Sequence, residues 1–144
     1  MTYRISEVDP HDDDVLDELR TLHTICFGDT APMPTFTDGF WWLAHHIPSK
    51  ETAGFAGMRR SIRYLDVGYL ERCGVVPEHQ GHRLQVRLLR ARERKAKRLG
   101  WVLTVTDTTD NVVSANSLIK AGYRMYCPKE PWGLSGALYW RKVL

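Results

Sequence analysis

Apolar residues recur along the chain with two periods, near two and near three and a half, and these predict its elements in order. Residues 2–8 alternate weakly and read as a short opening strand. Asp12, Asp13 and Asp14 follow, where carboxylates favour a helix N-terminus. Val15, Leu16, Leu19, Leu22, Ile25 and Cys26 then recur at three- and four-residue spacing, predicting a helix to about Phe27 that Gly28 closes. Residues 29–39 are rich in Pro, Thr and Gly and read as a loop. The chain turns apolar and aromatic over 39–44, as a buried strand does. Residues 52–64 and 68–76 read as two more strands, with a hairpin turn near Asp66-Val67-Gly68.

The second half changes rhythm. Pro77 to Gly81 reads as a turn, and Leu84, Leu88, Ala91 (or Arg92), Ala96 and Leu99 trace a helical stripe that ends at Gly100. Residues 101–106 alternate as a strand. Asp110 or Asn111 caps a further helix through Ala115, Leu118, Ile119 and Ala121, stopped by Gly122. Residues 123–127 and 137–143 read as final strands around the loop 128–136. With no internal repeat and no linker, 144 residues predict one α+β domain, 1–144. The expected sheet is mixed, mostly antiparallel, with about six to seven strands flanked by helices.

Composition alters this picture at one point only, the charge. The net +3 hides a split: residues 82–98 hold eight bases and one acid, Glu93, so that segment carries +7 and the remainder −4. Several classes are excluded. No apolar run approaches the ~20 residues that cross a bilayer, and the start lacks a signal-peptide core. Cys26, Cys73 and Cys127 are an odd count without a CxxC pair, and His45 and His46 would point to opposite faces of a strand. Neither a disulfide framework nor a metal site is expected. The location expected is cytoplasmic.

The chemistry concentrates where the strand 68–76 ends. Val75-Val76-Pro77 is followed by a short polar loop and at once by a helix. The first turn of that helix has unpaired N–H groups and a partial positive charge, which suits an anion, and Gly81 lets a phosphate approach the backbone. On local physics alone an ordinary strand-to-helix turn fits as well.

This segment resembles motif A of the GNAT acyltransferase superfamily, Q/R-x-x-G-x-G/A after a strand ending in V-x-P. Gln80 fills the first position, whereas the two glycine positions hold Arg83 and Gln85. Downstream, Asn111-Val112-Val113-Ser114 and Lys120-Ala121-Gly122-Tyr123 resemble the family's N-x-x-S…K-x-G-F helix. The resemblance covers about residues 68–125 and implies a GNAT-like acyl-CoA N-acyltransferase fold. It further implies acetyl-CoA as co-substrate, with an amine acceptor attacking the thioester directly in a ternary complex. Pantetheine would pair with the backbone of residues 71–76, including Cys73, Val75 and Val76. The pyrophosphate would sit on Gln80, Gly81, His82, Arg83, Leu84 and Gln85, with Asn111 and Ser114 completing the cofactor set.

The resemblance also assigns roles. Glu71 stands where many family members carry a general base; a carboxylate paired with Arg72 or another nearby base fits its sequence position equally well. His79 is a second candidate base. The family's usual acid, a helix tyrosine, is replaced by Leu118, leaving Tyr123 and Tyr126 as the tyrosines near it. Trp41, Trp42, Trp132 and the loop 128–136 are candidates for the acceptor pocket. A rival reading is a non-catalytic module binding CoA or, through the basic helix 82–98, nucleic acid. That helix lacks aromatics for base stacking and its bases surround the polar arc, so nucleic acid is not the expected partner. No membrane partner is expected, and a homodimer is open.

Overall fold

The structure is a computed structural model that describes residues 2–144. Among the described residues, seven strands and three α-helices follow one another in the order the periodicity predicts: β1 (Tyr3–Val8), α1 (Asp13–Phe27), β2 (Phe40–His46), β3 (Thr52–Arg60), β4 (Val67–Val75), α2 (Leu84–Arg98), β5 (Leu103–Thr108), α3 (Val112–Lys120), β6 (Arg124–Tyr126) and β7 (Leu138–Val143). The strand order is β1-β2-β3-β4-β5-β7-β6. It is antiparallel between β1 and β2, β2 and β3, β5 and β7, and β6 and β7, and parallel between β4 and β5. This is the mixed, mostly antiparallel sheet expected. Among the described residues no helix is long and apolar enough to cross a membrane.

Helix boundaries follow local chemistry closely. Asp12 caps α1 by accepting from the N–H groups of Asp14 and Val15. Asn111 caps α3 in the same manner through Ser114 N–H. At both later helix ends a glycine in the left-handed region reverses the chain. Gly100 (φ +79°) donates to Lys97 O while Trp101 donates to Ala96 O, and Gly122 (φ +96°) donates to Ile119 O while Tyr123 donates to Leu118 O. This paired pattern is a Schellman cap. It also turns Leu99 out of the stripe the sequence assigns to it: Leu99 is exposed, while Leu84, Leu88, Leu89, Ala91 and Ala96 are buried.

The chain packs as two compact units, one running up to Arg59 and joined by Glu71–Arg92, the other comprising Arg60–Leu70 and Glu93–Leu144. In the first, Leu19 and Leu22 of α1 pack with Phe36, Trp41, Leu43, Phe55 and Val76. A second cluster joins Leu84 of α2 to Tyr3, Ala44 and Ala53. Neighbouring residues of β2 enter different clusters, so both faces of that strand are covered, which explains its unbroken apolar run. In the second unit β5 buries polar residues on one alternate row. Thr104 bonds Tyr123, Thr106 donates to Leu70 O, and Thr108 accepts from the Trp140 indole. Each buried hydroxyl is therefore paired.

Several boundaries differ from the sequence expectation, β2 running to His46 and β6 only from Arg124 to Tyr126, and two of the shifts have a local cause. The β3–β4 hairpin closes at residues 61–66 rather than at Asp66-Val67-Gly68. Ser61 N–H donates to Val67 O, and the Ser61 hydroxyl accepts from the N–H groups of Arg63 and Tyr64, turning the chain early. Strand β5 lies two residues later than expected, because residues 101 and 102 are still engaged by the helix cap and by Asp66 O.

Gly57 on β3 lies against the Trp41 indole, and a Cβ there would come within 2.5 Å of the ring. Trp41 is fully buried, so Gly57→Ala should destabilise the fold by at least about 1–3 kcal/mol, read as a lower urea midpoint at unchanged m-value.

Candidate active site

The end of β4 and the start of α2 are built by a proline. Val76 N–H still donates to Ala53 O on β3. Pro77 has no N–H to continue the ladder, and the chain leaves the sheet in a 3₁₀ turn, Pro77–His79. The Gln80 side-chain amide reaches back to Val75 O at 3.2 Å and pins the turn to its strand. Gly81 (φ +85°) and Arg83 (φ +60°) both adopt the left-handed region. Arg83 thus stands in a glycine position of the motif and takes a glycine-like conformation, which costs an L residue about 1–2 kcal/mol. Gly81, His82 and Arg83 are exposed, Gln85 is half-buried, and Leu84 is buried and anchors the helix. The first turn of α2 holds no acid, so nothing there neutralises the positive helix terminus.

Glu71 is the buried carboxyl of this unit, 9% exposed. Burial pushes its pKa above the ordinary glutamate range; Arg59, Arg72 and Arg92 pull it down, and Asp38 pushes it up. Of the bases the sequence allows as a partner, Arg72 or another nearby one, the structure pairs Glu71 with the second kind. Arg59 Nε stands 3.9 Å from the carboxylate, while Arg72 turns away, donating to His23 Nε2 at 3.1 Å and to Pro32 O at 2.9 Å. Accepting from Arg72 places the proton of neutral His23 on Nδ1, in keeping with a pKa lowered by burial and by the guanidinium charge. Gly39 permits the close packing over Glu71, since a Cβ there would lie 3.1 Å from Oε1. Burial also keeps the Cys73 thiol protonated and pushes Cys26 up to about 11.

His79 is buried, not solvated as a loop histidine ordinarily is. The Tyr3 hydroxyl bonds its Nδ1 at 2.9 Å, and its Nε2 lies 3.7 Å from a Glu51 oxygen. The ring therefore pins the turn to β1.

Asn111, Ser114, Tyr123, Tyr126 and Trp132 belong to the second unit, Trp41 and Trp42 to the first. Asn111 spends its side-chain oxygen on Ser114 N–H. Tyr123 is buried, and its hydroxyl donates to Glu93 Oε2 at 2.8 Å, so Thr104 supplies the second bond. Lys142 Nζ completes the cluster 3.2 Å from Glu93 Oε2. Tyr123 is thus a core tyrosine whose proton is already committed. Tyr126 is half-buried with the Arg141 guanidinium 4.6 Å over its ring. Burial raises its pKa, Arg141 opposing, with Tyr64, Tyr139 and Asp107 adding to the rise. The tryptophans separate sharply. Trp41 and Trp42 are core residues, with the Trp41 indole donating to Phe36 O, and they are unfit to line a pocket. Trp132 is 42% exposed, and its indole donates to Asp107, which also accepts from the Tyr69 hydroxyl.

Sequence reasoning missed Arg59, Arg92, Asp38 and Asp107. Asp107 lies one residue past the strand the sequence predicts and inside β5 as observed, and Arg92 left a signal as the alternative to Ala91 on the apolar stripe. Arg92 is buried and donates to Gly57 O and Leu88 O; periodicity placed it on the apolar stripe without a reason for its charge.

The raised pKa of Glu71 has a thermodynamic consequence. A carboxyl whose folded pKa exceeds its unfolded value contributes stability fully below the unfolded value, and loses it as pH rises through the folded one. Glu71→Gln should therefore melt above the wild type at pH 7–8, with the gap closing toward pH 4. Melting curves across that range read the sign directly.

The profile of the Acetyltransferase (GNAT) family matches residues 16–123. No curated protein sequence matches the chain significantly. Among solved structures, it resembles an acetyltransferase from Streptococcus agalactiae with a TM-score of 0.77 at 15% identity, covering 100% of this chain and 99% of that one. A Bacillus subtilis acetyltransferase in complex with CoA gives 0.75 at 17% identity, with 99% of each chain covered. An IAA acetyltransferase from Bacillus cereus gives 0.76 at 16% identity, with 99% and 100% covered. At these identities the structures speak for the fold, and the family match speaks for descent. With a match over most of its length, a mixed seven-stranded sheet and the proline-terminated strand running into α2, the chain belongs to the GNAT acetyltransferase family.

Proposed function

We propose that this chain moves the acetyl group of acetyl-CoA onto an amine acceptor by direct attack, with Glu71 as the general base. The observation that carries this reading is the buried Glu71 carboxyl, held on β4 just ahead of the turn at Pro77 and pushed upward in pKa by its burial. An amine must be neutral to attack a thioester, and a carboxylate of raised pKa is a better proton acceptor near neutral pH. The amine nitrogen bonds the thioester carbonyl carbon, its proton passes to Glu71 directly or through one water, and the C–S bond breaks.

Acetyl-CoA is the co-substrate of the family. The residues assigned to it are Cys73, Val75 and Val76 for the pantetheine and Gln80, Gly81, His82, Arg83, Leu84 and Gln85 for the pyrophosphate. Asn111 and Ser114 join them by motif. The exposed Arg83 guanidinium offers charge where the motif has glycine. Tyr126 is the candidate to return a proton to the sulfur, since a tyrosine of raised pKa stays protonated. Leu118, buried where the family carries its tyrosine, does not forbid turnover, because a thiolate of pKa about 8–9 leaves tolerably unaided.

Acetyl-CoA at 100 times its Kd should add about 2.7 kcal/mol to stability, a rise in Tm of several degrees. Incubation with a panel of primary amines should then release free thiol. No melting shift at millimolar acetyl-CoA overturns the reading, and a shift without thiol release supports the non-catalytic binder instead.

Glu71→Gln should lower kcat by about 100- to 1,000-fold with KM for acetyl-CoA unchanged. It should also abolish an acid limb in the rate profile that lies above the ordinary glutamate range. An unchanged limb in the variant removes Glu71 from the chemistry.

A further inference from the structure

Helix α2 sorts its bases in a way the sequence did not reveal. Arg92 is buried, donating to Gly57 O, and Arg87 donates to Tyr3 O. Arg83 belongs to the cofactor turn and Lys95 is half-buried. Four exposed bases remain: Arg90, Arg94, Lys97 and Arg98. Their spacing of i, i+4, i+7 and i+8 puts them on one face of this helix, along about 12 Å of its axis. The sequence reading spread the bases around the polar arc; burial of the others leaves a single row.

This row carries no acid. Arg94 stands one turn from Arg90, Lys97 and Arg98, and like charges at such spacing destabilise an isolated helix. The helix's one acid, Glu93, could have relieved that repulsion, but it is buried against Tyr123 and Lys142. An ordinary solvated face intersperses both signs; this one keeps its repulsion unrelieved, while the chain outside 82–98 is net acidic.

We propose that the Arg90–Arg94–Lys97–Arg98 row docks the phosphate backbone of a nucleic-acid duplex, independently of the acetyl-transfer site. Charge complementarity selects the occupant. A duplex presents a negative charge about every 1.7 Å of its axis, close to seven along this row. The apolar face of α2 is buried in the fold, so the helix cannot insert among lipid chains. The row contains no aromatic or aliphatic anchor of the kind a protein partner needs. A row that contacts only phosphates should bind without sequence preference and with strong salt dependence.

The test is fluorescence anisotropy of a labelled DNA duplex of random sequence, titrated with the full chain. Four phosphate contacts predict a log–log slope of about −3.6, a loss of roughly a hundredfold in affinity between about 50 and 200 mM salt. The variant carrying Arg90→Gln, Arg94→Gln, Lys97→Gln and Arg98→Gln should bind at least about tenfold more weakly at the lower salt, with a flattened slope. Its melting shift with acetyl-CoA should be unchanged, which shows an intact fold. Absence of duplex binding at the lower salt overturns the proposal, as does equal binding by the variant. Row-dependent capture by phosphatidylserine vesicles without duplex binding overturns it as well, in favour of a membrane surface.

Discussion

The interaction on which the rest of the structure depends is the last rung of β4, where Val76 donates to Ala53 O and the next residue, Pro77, has nothing to donate. A strand that could continue would carry the chain along the sheet. This one must leave it, and it leaves through a turn pinned at two points, by Gln80 to Val75 O and by His79 to Tyr3. Because the turn is pinned, α2 starts from a defined place with its first-turn N–H groups beside Gly81 and Arg83, and Leu84 sinks into the cluster with Tyr3, Ala44 and Ala53. The anion-suited helix terminus is a by-product of ending a strand cleanly.

The same strand holds the buried Glu71, and it does so at an electrostatic cost. A buried carboxylate is expensive unless its charge is compensated. Here three arginines lower that cost without forming one tight pair, and Asp38 partly cancels them. The balance leaves the pKa of Glu71 raised above the ordinary glutamate range, with burial the largest cause. A tight bidentate pair would have done the opposite. The neighbouring Arg72 turns its side chain to His23 and Pro32 O instead.

Much of the fold was legible because its boundaries are set by local chemistry. Asp12, Asn111, Gly100 and Gly122 each act within one helical turn, so a reader of the sequence meets cause and effect together. The hairpin at Ser61 was misplaced because a serine hydroxyl took over the turn from the more conspicuous Asp66-Val67-Gly68. At the site, the turn at Pro77 and the position of Glu71 were legible through the motif. Three residues were harder to read. Trp41 and Trp42 suggested a pocket and are core, and Tyr123 resembled a candidate acid and is locked to Glu93.

The sequence by itself determined the order of the elements, the strand that stops at Pro77 and the helix that begins after Gly81, because each rests on residues a few positions apart. Only the tertiary structure decided what the ionisable groups became. Glu93 meets Lys142 across 49 residues, Arg72 meets His23 across the same separation, and Arg92 meets Gly57 across 35. Those partners settle which charges are spent inside the fold and which face water. No periodicity encodes them, since burial and Coulomb attraction depend on distance in space, whereas periodicity records only distance along the chain.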